Sequence, residues 1–67
     1  MKLRISGEWL TVPETVDTIG ELLGHFQLEQ QVVIVEQNET ILEKESRSGN
    51  KVHDGDRIEI VQFVGGG

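Results

Sequence analysis

The sequence predicts an α+β domain in which one helix packs across one face of a mixed sheet of four to five strands. Hydrophobic and polar residues alternate near both ends of the chain, over residues 2–12 and 57–64, which is the two-residue period of a half-buried strand. Between them, residues 19–26 carry apolar side chains at helical spacing. A β-branched run at residues 32–35 adds a strand inside the sheet.

The first two strands are predicted to form a hairpin. Leu3 and Ile5 alternate with polar neighbours, and the same period resumes after a turn that we place at Gly7-Glu8. Pro13 ends the second strand, because proline has no amide hydrogen to donate to a neighbouring strand.

One short helix follows the hairpin. Its apolar face is formed by Ile19, Leu22, Leu23 and Phe26. Thr18 and Glu21 have the spacing of a capping box, in which each side chain accepts a hydrogen bond from an amide of the first turn. Gly20 and Gly24 each weaken the helix by about 1 kcal/mol relative to alanine. We interpret their spacing as a close approach between helix and sheet.

The β-branched run Val32–Val35 predicts a core strand that is covered on both sides or lies at the centre of the sheet. Asn38-Glu39 then resembles a two-residue turn, although its second position lacks the glycine that favours type I′ geometry. Ile41-Leu42 forms a short return strand. Residues 43–51 are polar, which indicates an exposed, mobile loop.

The last strand follows a tight turn at residues 54–56. Ile58 and Ile60 alternate toward one face, and Val61 and Phe63 lie near or on the other. The strand runs into Gly65-Gly66-Gly67. We therefore expect a folded domain over residues 1–64 and a flexible glycine tail over residues 65–67, without a linker or a second domain.

The predicted order is strand, strand, helix, strand, short strand, strand, which is the ubiquitin-like β-grasp layout. A helix on one face of a mixed sheet buries the apolar positions of all these elements together. The predicted core comprises Leu3, Ile5, Leu10, Val12, Ile19, Leu22, Leu23, Val33, Val35, Ile58 and Ile60.

The composition argues against several classes of protein. Twelve acidic and six basic residues give a formal net charge of −6, which disfavours binding to nucleic acid or to anionic membranes. The sequence has no apolar run of the roughly 20 residues that span a bilayer, and its start does not resemble a signal peptide. We expect a cytoplasmic protein that is monomeric when free.

The sequence has no conventional catalytic constellation. It contains no cysteine, so any sulfur chemistry must use another atom as the carrier. His25 and His53 have no obvious nucleophilic partner, and Asp54 and Asp56 fit a plain turn better than a calcium loop. We predict that the chain is not an enzyme and that it binds neither a metal nor a cofactor itself.

The glycine tail offers the one specific chemistry. A carboxylate is a poor electrophile, so the C-terminal carboxylate of Gly67 would need activation as a mixed anhydride such as an acyl-adenylate, in the site of another protein. Glycine lacks a Cβ and can thread a narrow slot that excludes water. We predict that a partner binds Val61, Phe63, Val64, Gly65 and Gly66. Phe63 would be the main anchor, and Trp9 is a candidate for the same apolar face.

Residues 54–67 closely resemble the C-terminus of the ThiS family, the sulfur carriers of thiamine thiazole biosynthesis. Residues 33–42 resemble the central strand pair of that family, and the total length agrees. The resemblance implies that a ThiF-like adenylating enzyme uses ATP and a sulfur donor to convert the Gly67 carboxylate to a thiocarboxylate. A ThiG-like thiazole synthase would then receive the sulfur. The sequence departs from the family at Glu39, where glycine is common, and at Gly20 and Gly24, where alanine is frequent.

Three alternatives remain open from the sequence. The chain could be a MoaD-like carrier for molybdopterin synthesis, although such carriers are typically longer and end in two glycines. It could be a ubiquitin-like modifier that is conjugated to lysine side chains. It could also be a non-covalent binding module that uses the Phe63 face, in which case the last two glycines would be dispensable.

Overall fold

A computed structural model describes residues 1–62 of the chain. Its elements in chain order are β1 (Lys2–Ile5), β2 (Glu8–Thr11), α1 (Ile19–His25), β3 (Val33–Gln37), β4 (Thr40–Leu42), a 3-10 helix (Lys44–Ser46) and β5 (Arg57–Gln62). The sheet has the order β2-β1-β5-β3-β4. The β1–β5 pair is parallel and the other pairs are antiparallel. The predicted mixed sheet with one helix, the β-grasp layout, is confirmed.

The core forms between α1 and the face of the sheet that α1 covers. Nine of the predicted core residues are buried there, whereas Leu10 and Ile60 are only partly buried against its edge. Val16 and Val52 are also buried, although the sequence patterns did not indicate them. Both lie outside helices and strands, in two segments that are joined to each other by a hydrogen bond from the Val52 amide to the Asp17 carbonyl at 2.9 Å.

Both hairpin turns use left-handed backbone angles. The first turn is Ser6-Gly7, with φ of 49° and 86°, so its predicted place at Gly7-Glu8 was wrong by one residue. The predicted turn at Asn38-Glu39 is confirmed, with φ of 49° and 72°. Positive φ at both central residues characterises type I′ turns, whose twist matches that of the strands they join. Glu39 therefore adopts an angle that is unfavourable for a residue with a Cβ.

The capping box that begins α1 is confirmed. The Glu21 amide donates to Thr18 Oγ1 at 3.1 Å, and the Thr18 amide donates to Glu21 Oε1 at 3.1 Å. The segment predicted to be a mobile loop also forms hydrogen bonds with the first turn of this helix. The amides of Ile19 and Gly20 donate to the carbonyls of Asn50 and Arg47. Residues 43–51 are mostly exposed, as predicted, but they include a 3-10 helix and form hydrogen bonds with the start of α1.

The interpretation of Gly20 and Gly24 as a close helix–sheet approach was wrong. A Cβ at Gly24 would have no atom within 4 Å, and one at Gly20 would make ordinary contacts at 3.5–3.7 Å with Arg47 and Ser48, not with the sheet. Nothing in the structure requires a glycine at position 24.

Gly24→Ala is therefore expected to raise the free energy of unfolding by about 0.5–1 kcal/mol, because alanine has less backbone freedom to lose on folding. The midpoint of thermal unfolding should rise by roughly 4 °C. Gly55→Ala is the matched control. Its Cβ would also meet nothing within 4 Å, but its φ is +89°, so this variant should be destabilised. A lower midpoint for Gly24→Ala would contradict the prediction.

Candidate functional site

The predicted site begins at the end of β5, the last strand that the structure describes. β5 is the central strand of the sheet and is the last element before the glycine tail. Of the predicted site residues, only Val61 falls within residues 1–62. Phe63, Val64, Gly65, Gly66 and Gly67 lie outside the described residues, and so does the boundary predicted between domain and tail. The part of the site that lies within residues 1–62 is the sheet surface that precedes the tail.

We call the face of the sheet that α1 does not cover the open face. Along β5, Ile58 is buried in the core while Arg57 and Val61 are exposed on the opposite side, as strand alternation requires. The predicted orientation of Val61, away from the helix, is thus confirmed. The open face has three zones along β5, which differ in chemistry.

The zone next to the tail is apolar. Val61 pairs in register with Ile34 of β3, and Ile41 of β4 lies on the same face, opposite Glu36. The exposed fractions are 53% for Val61, 39% for Ile34 and 68% for Ile41. We call these three residues the apolar patch. The run Val32–Val35 was predicted to be covered on both sides or to lie at the centre of the sheet. It forms part of an internal strand, β3, next to the central β5, but it is not covered on both sides, because only Val33 and Val35 are buried and Ile34 is exposed.

The middle zone is acidic. Glu36 and Glu59 are directly opposite each other on β3 and β5. Like charges at opposed cross-strand positions destabilise a sheet. This pair lies between the Val61–Ile34 row and the third zone, in the same row as Ile41, and gives the open face a band of negative charge.

The third zone is basic and aromatic. Arg4 pairs in register with Trp9 on β2 and with Arg57 on β5. The Arg4 guanidinium carbon lies 5.9 Å from the centre of the Trp9 ring, and Trp9 is 56% exposed. Trp9 therefore shares the open face with Val61, as predicted, but belongs to its opposite end. Four residues along a strand span about 13 Å, so Trp9 is not part of the apolar patch.

Asp56 holds the basic end of the open face in place. Its Oδ2 accepts hydrogen bonds from Gln37 Nε2 and the His53 amide, both at 2.9 Å, and its Oδ1 accepts one from Asn38 Nδ2 at 3.0 Å. Partial burial raises the pKa of Asp56, but the hydrogen bonds from Asn38, Gln37 and the His53 amide outweigh it and hold this pKa below 3.8.

The histidines do not form a reactive site in the described part of the chain. His53 Nδ1 lies 3.7 Å from Asp56 Oδ2 and its side chain is mostly exposed. The His25 ring packs edge-on against Phe26, with 5.0 Å between the ring centres. Within residues 1–62, no three His, Cys, Asp or Glu side chains are grouped so that they could hold a metal ion.

Taken together, the open face of residues 1–62 has an exposed apolar patch near Gln62 and a basic, aromatic zone at its other end. Sequence patterns found Val61 but missed Ile34, Ile41 and the Arg4–Arg57 pair. The alternation of β3 could have indicated Ile34, but the run of four β-branched residues obscured it. Separately, none of the helices in the described residues has the length and apolar character needed to cross a membrane.

Comparison with known proteins places these features in a family. Residues 3–67 match the model described as the ThiS family. The sulfur carrier protein ThiS of Bacillus subtilis is 43% identical over 65 residues, which cover 97% of this chain and 98% of that protein. A thiazole synthase of Paramagnetospirillum magneticum is 42% identical over all 67 residues, which make up only 20% of that relative's length.

Solved structures agree with the sequence relatives. A crystal structure of a thiamine biosynthesis protein (ThiS) from Geobacter metallireducens superposes with a TM-score of 0.83 at 36% identity, and the match covers both chains completely. A solution NMR structure of a thiamine biosynthesis protein from the same organism gives the same TM-score and identity, covering 88% of that chain.

Proposed function

This chain belongs to the ThiS family, and we propose that it is a sulfur carrier protein of thiamine biosynthesis whose working group is the C-terminal carboxylate of Gly67. One observation carries the proposal: the 43% identity to the Bacillus subtilis sulfur carrier protein ThiS extends over nearly the full length of both chains. The family match also reaches residue 67 and so includes the glycine tail.

The proposed chemistry has two steps. A carboxylate oxygen of Gly67 attacks the α-phosphorus of ATP, so that an acyl-adenylate forms and pyrophosphate leaves. A sulfide-level donor then attacks the acyl carbon, a carbon–sulfur bond forms, and AMP leaves with the bonding electron pair. The product is a C-terminal thiocarboxylate. Because the carrier atom is on the tail, this chemistry needs no cysteine, and the chain has none.

Two partner enzymes are required. A ThiF-like adenylating enzyme would bind ATP and exclude water from the adenylate, and a ThiG-like thiazole synthase would accept the sulfur. The Paramagnetospirillum magneticum relative supports the second partner, because a segment similar to this entire chain is part of a protein named thiazole synthase. The carrier itself supplies the tail and a docking surface and is a co-substrate, not the catalyst.

The strand that precedes the tail belongs to the folded domain. Ordering flexible residues in a narrow slot costs about 1–2 kcal/mol each, and contacts beside the tail must offset this cost. The apolar patch begins two residues before Phe63 and is exposed, so it can provide such contacts. β5 pairs with β3 as far as Gln62, so the end of the described strand has a defined position relative to this patch.

The test is intact mass spectrometry of the full chain after incubation with a ThiF-like enzyme, ATP and a sulfide donor. We expect a mass increase equal to the replacement of one oxygen by sulfur, and fragmentation should assign the change to Gly67. The reaction without ATP is the control and should leave the mass unchanged. No increase with an enzyme that loads another carrier would count against the proposal, and a modified lysine on another protein would indicate a protein modifier instead.

A further inference from the structure

We propose that the groove between Arg4, Trp9 and Arg57 docks an acidic segment of an enzyme that acts on the tail, an inference that rests on the sulfur-carrier function proposed above. The groove has a volume of about 320 Å³ and is also lined by Asn38, Glu39 and Gly55. It lies at the opposite end of the open face from the apolar patch, so it would be a second contact point for the same partner.

Charge is distributed unevenly over this chain. Its net charge is −6, yet three of its six basic residues, Lys2, Arg4 and Arg57, lie at one end of the open face. Elsewhere, Lys51 is paired with Asp17 at 2.7 Å and Arg47 donates to the Val33 carbonyl at 2.7 Å. Asp54 lies beside Lys2, but the groove itself is lined by two arginines and one carboxylate, Glu39. It is thus a locally positive surface on an acidic protein, and such a surface attracts an acidic partner.

The two arginines are not explained by stability. They are direct cross-strand neighbours, an arrangement that destabilises a sheet when the charges are alike. Within the described residues Arg4 forms no ion pair with a carboxylate. Arg57 has one weak partner, Glu39, with 3.4 Å between Nη1 and Oε1 and both side chains mainly exposed. Unfavourable placement of charge in a folded domain is typical of binding sites.

The groove fits a pair of carboxylates. Adjacent strands place the two arginine backbones about 4.8 Å apart, and carboxylates at positions i and i+4 of a helix have a similar spacing of about 5–6 Å. Guanidinium groups bind carboxylates through paired charge-assisted hydrogen bonds. The exposed Trp9 ring adds apolar contact area beside these bonds. A long polyanion such as nucleic acid fits less well, because Glu36 and Glu59 form the next row of the same face.

The groove walls are held rigidly. The Asn38 side chain is held by two hydrogen bonds: its Nδ2 donates to Asp56 and its Oδ1 accepts from the Arg57 amide at 2.9 Å. Glu39 has an unfavourable φ of 72° and partly neutralises Arg57. Glu39 therefore limits the positive charge of the groove, and replacing it with glycine should strengthen binding of an acidic segment while relieving the turn.

The test is calorimetric binding of the full-length carrier to the ThiF-like enzyme and, separately, to the ThiG-like thiazole synthase at 50 and 300 mM NaCl. We expect Arg4→Gln and Arg57→Gln each to weaken binding to at least one enzyme about tenfold at 50 mM NaCl, with a smaller difference at 300 mM. Glu39→Gly should tighten the same complex. Lys44→Gln removes an exposed positive charge from the 3-10 helix and is the matched control.

A purely structural role for the arginines predicts a different result, in which binding falls only as far as stability falls. We expect Arg4→Gln and Arg57→Gln to unfold close to the wild-type midpoint, because both relieve the repulsion between the arginines while Arg4→Gln also loses the contact with the Trp9 ring. The proposal is overturned if both variants bind both enzymes within twofold of the wild type, or if Lys44→Gln weakens binding equally. Loss of a concentration-dependent dimer in these variants would assign the groove to a second copy of the chain and also overturn it.

The two proposals fail in distinguishable ways. If the wild-type chain gains no sulfur in the mass assay, the carrier function fails. If it gains sulfur and binds the enzymes while the arginine variants do so equally well, only the groove proposal fails. A wild-type chain that is loaded with sulfur yet shows no salt-dependent binding to either enzyme also overturns the groove proposal.

Discussion

Deleting Gly66 and Gly67 is expected to abolish sulfur loading completely while leaving the free energy of unfolding within about 0.5 kcal/mol of the wild type. The deletion draws the carboxylate back toward the folded domain by about 7 Å, so that it no longer reaches an activating site that only a narrow tail can enter. Among the described residues, the fully buried core lies between Leu3 and Ile58, and the two deleted glycines have no side chains to contribute to it.

Two measurements check this expectation. Intact mass after incubation with the ThiF-like enzyme, ATP and a sulfide donor should show no gain for the truncated chain, and chemical denaturation should show an unchanged midpoint. Gly24→Ala is the control, because it removes a glycine outside the tail and should still be loaded. A truncated chain that gained sulfur would rule out the Gly67 carboxylate as the carrier atom, and one that kept its biological activity would favour the non-covalent binding module.

The elements that sequence patterns predicted best are those determined by neighbours in the chain. The capping box depends only on Thr18 and Glu21, and the helical spacing of Ile19, Leu22 and Leu23 places all three in the core. Strand alternation likewise identified the buried positions of β1 and β5. Val16 and Val52 were missed because they lie in irregular segments, where no period marks a buried residue.

The open face could not be predicted in the same way, because it depends on which strands become neighbours. Arg4 and Arg57 are far apart in the sequence and meet only through the parallel pairing of β1 with β5. Parallel neighbours are joined by long connections, so their register leaves no local signature. Ile34 and Ile41 are exposed together because α1 covers only the other face. The alternation of side chains along a strand assigns each residue to one face of the sheet. It does not reveal which face the helix leaves uncovered.

The backbone conformation of the Asn38-Glu39 turn could not be predicted from local sequence preferences either. The sequence places a turn at Asn38-Glu39 but argues against type I′ geometry, since glycine is absent from the second position. The structure has positive φ at both residues nevertheless. Hydrogen bonds that join Asn38 to Asp56 and to the Arg57 amide hold this turn against the start of β5. These tertiary contacts outweigh the local preference.

Asp56→Ala is expected to lower the free energy of unfolding by about 3 kcal/mol, because three hydrogen-bond donors lose one charged acceptor. These donors are the side chains of Gln37 and Asn38 and the amide of His53, and the Asp56 side chain is only 12% exposed. A chain of this size has a total stability of roughly 3–10 kcal/mol. Thermal unfolding should show a midpoint lowered by about 12–24 °C, if the variant folds at room temperature.

Asp54→Ala is the matched control for this variant. Asp54 lies in the same turn, is exposed and accepts one hydrogen bond, from the Lys2 amide at 2.6 Å, so its loss should cost about 1 kcal/mol. Asp56→Asn should fall between the two alanine variants, since an amide keeps one acceptor oxygen but turns a donor toward the others. Equal destabilisation by Asp54→Ala and Asp56→Ala would mean that Asp56 does not organise the turn.

The dependence of the free energy of unfolding on pH should also reveal the stabilising role of the Asp56 carboxylate. Because the folded-state pKa of Asp56 is held below its ordinary value of 3.8, the folded protein binds fewer protons at this carboxylate than the unfolded chain does. Its contribution is fully present above pH 3.8 and is lost as the pH falls through the lower, folded-state pKa. Denaturation curves between pH 6 and pH 2.5 should therefore show a smaller acid loss of stability for Asp56→Asn than for the wild type. If stability fell equally with pH in the two proteins, the ionised Asp56 carboxylate would not be preferentially stabilised in the folded state. The hydrogen bonds around the turn would then leave the pKa of Asp56 unchanged.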